Sequence, residues 1–312
     1  MRTLGKISLV CAAAFLGLAQ GSFAATPSCG GHGDRNSMLV STAWLGEHLR
    51  DPNLVILAVG QKGDYEVGHI PGALYLDYND IHTMPGPGHP LTLELPPMAQ
   101  LAEVFGKLGV SNDSRIVLYV SKDWFSPTAR AFLTLDAMGM GARTSMLDGG
   151  LPVWQSEGRP VSTEVRAVKA AKLEPCPQSD IIVDATYVNA NLRHAGVDIV
   201  DARNVEFYTG AKIPNGQRAG HIPGASNITY STLVDDKGKL KPIDTLQEKF
   251  QAAGIKSGDR VVSYCHIGQQ ASLIYFVARY LGYDARLYDG SWEDWSKRAE
   301  LPAETSAAAP KQ

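Results

Sequence analysis

The chain has 312 residues, enough for about two domains, and 44% hydrophobic with 20% charged residues is the balance of a globular protein with a real core. Its net charge is −3 and it has no long Lys/Arg run, so composition gives no electrostatic reason to bind nucleic acid. Residues 1–24 read as a secretory signal: Arg2 and Lys6, an apolar stretch from Ile7 to Ala19, then Ser22-Phe23-Ala24 as a small-residue cleavage site. That stretch is too short for a comfortable membrane span, so it is expected to be removed, leaving a periplasmic protein with no membrane attachment. Cys29, Cys176 and Cys265 then remain, and an odd count in an oxidising compartment suggests one pair plus one free thiol. Spacing does not give connectivity; a Cys29–Cys176 disulfide is the pairing expected.

Beyond the signal the chain is one module written twice. Gly68-His69-Ile70-Pro71-Gly72-Ala73 recurs as Gly220-His221-Ile222-Pro223-Gly224-Ala225, and Arg115-Ile116-Val117-Leu118-Tyr119 as Arg260-Val261-Val262-Ser263-Tyr264. Leu147-Asp148-Gly149 with Trp154 returns as Tyr288-Asp289-Gly290 with Trp295. In the first copy Ser41 is placed to cap a helix through Leu49, followed by a buried-type strand over Leu54 to Val59. A helix from Pro96-Pro97 to Leu108, a strand over Ile116 to Val120, a helix over Pro127 to Met138, a strand over Thr144 to Leu147 and a helix over Leu151 to Ser156 follow. The second copy repeats this with strands at 197–200, 260–264 and 285–288 and main helices at 245–253 and 270–281. Apolar strands alternating with helices predict an α/β protein, each copy a mainly parallel sheet flanked by helices, with sites at the carboxyl ends of strands. The expected division is a first domain over 38–160, a linker over 161–180, a second domain over 181–300 and a disordered tail over 301–312.

Each copy serves as a control for the other. What both keep is expected to serve the fold: His69 and His221 as turn or packing residues, Asp148 and Asp289 as caps or turns before the last helix. A minority reading lets His69 face the other domain's site. The copies diverge after the Tyr of the central strand. The second continues Cys265-His266-Ile267-Gly268-Gln269-Gln270-Ala271 into a helix, whereas the first has Val120 at the cysteine position. A cysteine at a strand end, before a Gly-containing loop and a helix start, meets converging backbone N–H groups, so its pKa is expected below the free value of about 8.5. Upstream, Asp201-Ala202-Arg203 stands where the first copy has Ala58-Val59-Gly60. A salt bridge bracing the loop is the preferred reading there; a part for Arg203 in an anion site is the sharper one.

Together the paired His-Ile-Pro-Gly-Ala turns, Asp201-x-Arg203, the Cys265–Ala271 loop and the paired Asp-Gly…Trp segments resemble the two-domain rhodaneses, which are sulfurtransferases of the thiosulfate/3-mercaptopyruvate type. The resemblance spans roughly residues 38–300 and implies a rhodanese-like fold in both halves, with an inactive first domain and Cys265 as nucleophile. It implies that a small-molecule donor gives a sulfane sulfur to Cys265, that the persulfide passes it to cyanide or a thiol by ping-pong kinetics, and that no metal or organic cofactor takes part. His266, Ile267, Gly268, Gln269, Gln270 and Arg203 are then the substrate-binding candidates, and a monomer is expected. The loop has neither the two basic residues usual after the cysteine in thiosulfate-preferring members nor the Gly-Ser-Gly of mercaptopyruvate-preferring ones. Phe207 stands where the family places an anion-binding arginine. Thiosulfate is the expected donor, with His266 lending partial charge and a bell-shaped pH profile as the consequence. A cysteine phosphatase is disfavoured, because its loop needs an arginine where Ala271 stands. A persulfide carrier that turns over only with a partner is the alternative.

Overall fold

The computed structural model describes residues 34–306 apart from His89, Asp123 and Trp124. The expected signal segment and Cys29 lie outside the described residues. The first domain contains strands β1 (Leu39–Val40), β2 (Leu54–Val59), β3 (Leu74–Leu76), β4 (Arg115–Val120) and β5 (Thr144–Leu147). The second contains β6 (Ile182–Val183), β7 (Val197–Asp201), β8 (Ser226–Asn227), β9 (Arg260–Tyr264) and β10 (Asp284–Tyr288). Both sheets pair in parallel, and their lateral orders match: β1-β5-β4-β2-β3 and β6-β10-β9-β7-β8. Helices cover both faces, so β2 and β4 are nearly continuous apolar runs rather than alternating ones. The helix Thr42–His48 starts where Ser41 Oγ accepts the Trp44 N–H at 3.1 Å.

The repeated His-Ile-Pro-Gly turns have the same architectural work in both copies. His69 stacks on Tyr65 with ring centroids 4.0 Å apart, and its Nδ1 lies 2.9 Å from the Tyr65 carbonyl. His221 does the same with Tyr208, at 3.9 Å and 2.7 Å. The next N–H, of Ile70 or Ile222, donates to the hydroxyl of Tyr119 or Tyr264 in the neighbouring strand. His69 Nε2 meets the Glu164 carbonyl at 3.1 Å, so this side chain stays with its own domain and does not face the other domain's site.

Each turn also needs a strand partner for its backbone groups. Ser162 of the linker bridges His69, and Glu304 bridges His221 in the same antiparallel way. This corrects the expectation of disorder from residue 301: Glu304 exchanges both backbone bonds with His221, and its carboxylate accepts from Arg193 and from the Gly224 N–H. A buried turn with unpaired N–H and C=O groups is costly, and that requirement orders the segment. Residues 307–312 lie outside the described residues. Cys176 is disulfide-bonded with a partner outside the described residues, and Cys265 is a free, buried thiol.

The two domains share one core. In the helix Phe125–Ala137 every residue from Ser126 to Ala137 is buried, and in the helix Ala271–Leu281 all but Tyr280 are. A helix apolar on all sides must be covered on all sides, and these two cover each other, with Phe132 meeting Phe276 edge-on at 4.8 Å. The charged groups there are paired across the interface. Asp136 of the first domain accepts from Arg279 and, at 2.7 Å, from the Tyr275 hydroxyl of the second. Asp136→Ala strands the Arg279 charge in this interface and is expected to cost about 3–5 kcal/mol, read as a lower urea midpoint. A loss under about 1 kcal/mol, the range of exposed pairs, contradicts a buried interdomain ion pair.

Candidate active site

β9 ends at Tyr264, and Cys265 follows at the carboxyl edge of the sheet with 0% of its surface exposed. The chain then turns through Gly268, at φ +85°, into the helix that starts at Ala271. Glycine is required at 268 for space as well as conformation: a Cβ there would lie 3.0 Å from the Asp289 carbonyl and 3.1 Å from Arg130 Nη1. The turn aims the backbone N–H groups of Ala271, Ile267, Gln270 and Gly268 at the sulfur. The cysteine's own N–H donates to Ser291 Oγ at 3.1 Å, and that hydroxyl donates to the Tyr288 carbonyl at 2.9 Å. Ser291 holds φ +50°, an uncommon place for a side chain. The first copy has Gly150 there, at φ +57°, because a Cβ would run into Val120 at 2.4 Å. Cys with Ser, and Val with Gly, are thus exchanged as pairs.

Burial pushes the Cys265 thiol above its ordinary value, outweighing the four N–H groups that favour thiolate. The expected depression of this pKa is therefore corrected, because the sulfur sits in a closed interior rather than at an open loop. His266 is corrected too. Burial, then the Arg203 charge, lower its pKa to about 4, so at neutral pH it is uncharged and lends no positive charge.

Arg203 and Asp201 are both wholly buried and form a bidentate pair, with Nη2 to Oδ2 at 2.6 Å and Nε to Oδ1 at 3.0 Å. Nη2 also donates to the Gly220 carbonyl at 2.8 Å, and the guanidinium lies 4.8 Å from the Trp292 ring centre. Arg203 braces the strand edge and leaves Nη1 without a hydrogen-bond partner among the described residues. Phe207 stands edge-on to His266 at 4.6 Å. Gln269 is buried and turned towards Ser126 of the first domain at 3.4 Å, while the buried Gln270 Oε1 has no hydrogen-bond partner among the described residues; Ile267 is half-buried.

The rhodanese-like domain profile matches the chain twice, over residues 41–157 and 184–298. The chain belongs to the rhodanese family. The sulfur carrier protein TtuD of Thermus thermophilus is 32% identical over 282 residues, 85% of this chain and 95% of that protein. The thiosulfate sulfurtransferase of Gallus gallus is 30% identical over 281 residues, covering 84% and 94%, and that of Azotobacter vinelandii 29% over 272 residues, covering 86% and 97%. A solved structure of EanB with hercynine superposes with a TM-score of 0.77 at 20% identity, over 88% of this chain and 70% of that one. YnjE superposes with 0.75 at 23% identity, over 88% and 69%. At such identities the structural likeness shows the fold; the relatives support sulfur transfer from a donor to a thiol acceptor.

In this rhodanese the first domain forms one wall of the site. Arg130, fully buried on the Phe125–Ala137 helix, donates from Nη1 to Asp289 Oδ1 and from Nη2 to the Leu93 carbonyl, both at 2.6 Å. Asp289 Oδ2 accepts the Leu95 N–H at 2.8 Å, and Glu293 accepts the Thr92 N–H at 2.9 Å, which ties the strap Leu91–Leu95 to the second domain. Asp148 accepts the Leu240 N–H at 3.0 Å in the mirror arrangement. Asp148 and Asp289 are thus interdomain acceptors, and the helices after them start at Gly149 and Gly290 without a side-chain cap. Tyr78 brings a buried hydroxyl with no hydrogen-bond partner among the described residues into the electrostatic neighbourhood of Arg130, Cys265 and Asp289. Sequence reasoning missed Arg130, Tyr78 and Ser291. A buried charge on a helix that is apolar on most of its faces signals the first, and the Gly150/Ser291 difference between copies signals the last.

Two outcomes follow from this geometry. The thiolate absorbance of wild type minus that of Cys265→Ser is expected to titrate above about 8.5, the free-cysteine value. Sulfur loading accordingly rises with pH through neutrality, and His266→Gln leaves that shape unchanged because His266 is already neutral; an alkaline fall that His266→Gln removes contradicts the assignment. Ser291→Ala leaves the Cys265 N–H unpaired and is expected to cost about 1–3 kcal/mol in urea unfolding. Ser291→Gly loses the same bond but suits φ +50° and costs less, so the reverse order contradicts the account.

Proposed function

We propose that this rhodanese moves a sulfane sulfur from an anionic donor to a thiophilic acceptor through a persulfide on Cys265, in a periplasmic compartment, with thiosulfate preferred to 3-mercaptopyruvate. The observation that carries the proposal is the ring of four backbone N–H groups around one buried thiol. Such a ring has no structural need of a neutral thiol but suits a negative sulfur. Cys265 loses its proton to water and attacks the outer sulfur of thiosulfate. The sulfur–sulfur bond breaks, sulfite leaves with the electron pair, and the outer sulfur stays on Cys265 as a persulfide anion held by the N–H ring. Cyanide or a thiolate then attacks that outer sulfur and carries it away, and the Cys265 thiolate is regenerated. Since Cys265 is wholly buried, the surrounding chain has to open for either partner to enter, and the strap Leu91–Leu95 is the segment proposed to move. The first domain, with Val120 at the cysteine position, contributes structure and no nucleophile.

The donor preference rests on the charges available. Mercaptopyruvate presents a planar carboxylate best matched by a free guanidinium. Phe207 replaces one such group, Arg203 is committed to Asp201 and Arg130 to Asp289. The relative named a sulfur carrier keeps a second reading in play, in which the persulfide is handed on only to a protein partner. Steady-state assays with both donors and cyanide are expected to give a higher kcat/KM for thiosulfate and no activity above background for Cys265→Ser with its fold intact. Single loading without turnover selects the carrier, and a kcat/KM well above thiosulfate's for mercaptopyruvate, or turnover by Cys265→Ser, overturns the proposal.

A further inference from the structure

The site as described has a shortage of free positive charge. Both nearby arginines are locked to buried carboxylates, at 2.6 Å each, and His266 is neutral at physiological pH. A dianionic donor still has to be drawn to a buried sulfur. Lys212 is a cation that the fold delivers to this place with no ion pair among the described residues. The helix Val205–Thr209 ends at Gly210, in the left-handed conformation at φ +85°, and the chain doubles back so that the Lys212 N–H reaches the Glu206 carbonyl at 2.8 Å. Its ammonium lies 4.8 Å from the Phe207 ring centre, and Phe207 is the residue packed edge-on against His266, next to Cys265. Lys212 is exposed to solvent, and its charge is felt at His266.

The internal control supports the same residue. The turn histidine and the tyrosine it stacks on are 4 residues apart in the first copy and 13 apart in the second, so the second carries nine extra residues (13 less 4). Lys212 lies within that insertion, which is present only in the copy that has the cysteine.

We propose that Lys212 is the donor-specificity residue of this site: its ammonium, held over Phe207, anchors the oxyanion end of the sulfur donor at the mouth of the Cys265 loop. The inference rests on the sulfur-transfer reading and says which donors it favours. An ammonium is a compact point charge with rotatable donors, which matches a tetrahedral sulfonate-like end better than a planar carboxylate. A cation displaced from position 207 to a neighbouring loop thus selects small sulfane oxyanions.

The test uses the full chain with Lys212→Ala, Lys212→Glu and Lys212→Arg, and Lys62→Ala as a surface control in the first domain. With thiosulfate and saturating cyanide, Lys212→Ala is expected to raise KM about 5- to 10-fold with kcat little changed, since one partly screened charge is lost. Lys212→Glu raises it further, Lys212→Arg restores it, and Lys62→Ala and the melting temperatures stay at wild type. Calorimetric titration of thiosulfate into Cys265→Ser, with and without Lys212→Ala, reads the anion site without turnover and is expected to show the same weakening. Equal KM in Lys212→Glu, or equal binding in the two Cys265→Ser proteins, overturns the proposal. Lysine-dependent binding in a protein that never turns over thiosulfate sinks the enzymatic reading and leaves the anion site standing.

Discussion

The helices Phe125–Ala137 and Ala271–Leu281 bury nearly every face, and each can do so only against the other domain. Separating the domains would expose two apolar helices at once, so the interface is as much a part of the fold as either sheet. The electrostatics of the site follow from that packing. Inside a dry interface every charge must be matched, and Asp136 with Arg279 and Arg130 with Asp289 are the matches there, as Arg203 with Asp201 is within the second domain. Cys265 lies in the same volume, so the desolvation that locks the arginines also holds its thiol neutral. Backbone N–H groups are the one source of positive potential that can be buried there without a counter-charge.

The first domain, which lacks the thiol, is therefore not a spare copy. It supplies Arg130, the strap Leu91–Leu95 and the buried Tyr78 hydroxyl, and so sets the dielectric in which the second domain's cysteine works. The mirror contact, Asp148 with the Leu240 N–H, shows that the interface has the pseudo-symmetry of two like modules. It is broken at the cysteine loop, at the Asp201–Arg203 pair and in the insertion that carries Lys212.

Much of this was legible in the chain. The long strands and helices carry periodic apolar patterns, and the cysteine loop stands out against Val120 of the first copy. The edge strands β1, β6 and β8 were invisible because each is only two residues long and carries no pattern. The Cys265 pKa is raised, against what the loop alone implies, for a related reason. The loop's N–H groups are local and can be inferred, but the burial that outweighs them belongs to the folded core, where Cys265 packs in one cluster with residues of both domains. Asp148 and Asp289 read from the sequence as caps or turns because local explanations exist, whereas their partners lie 92 and 194 residues away. Arg203 shows the opposite case, a partner two residues away that spacing alone made readable.

The account turns on a single sulfur-carrying atom, and mass spectrometry reads it directly. Thiosulfate-treated protein, cleared of excess donor and analysed intact and as peptides, should gain about 32 Da, one sulfur atom, on the peptide that contains Cys265. Cyanide should remove that mass, and the first domain should show no gain. An adduct on any other peptide, or protein that turns over donor without carrying the extra mass on Cys265, would contradict the account.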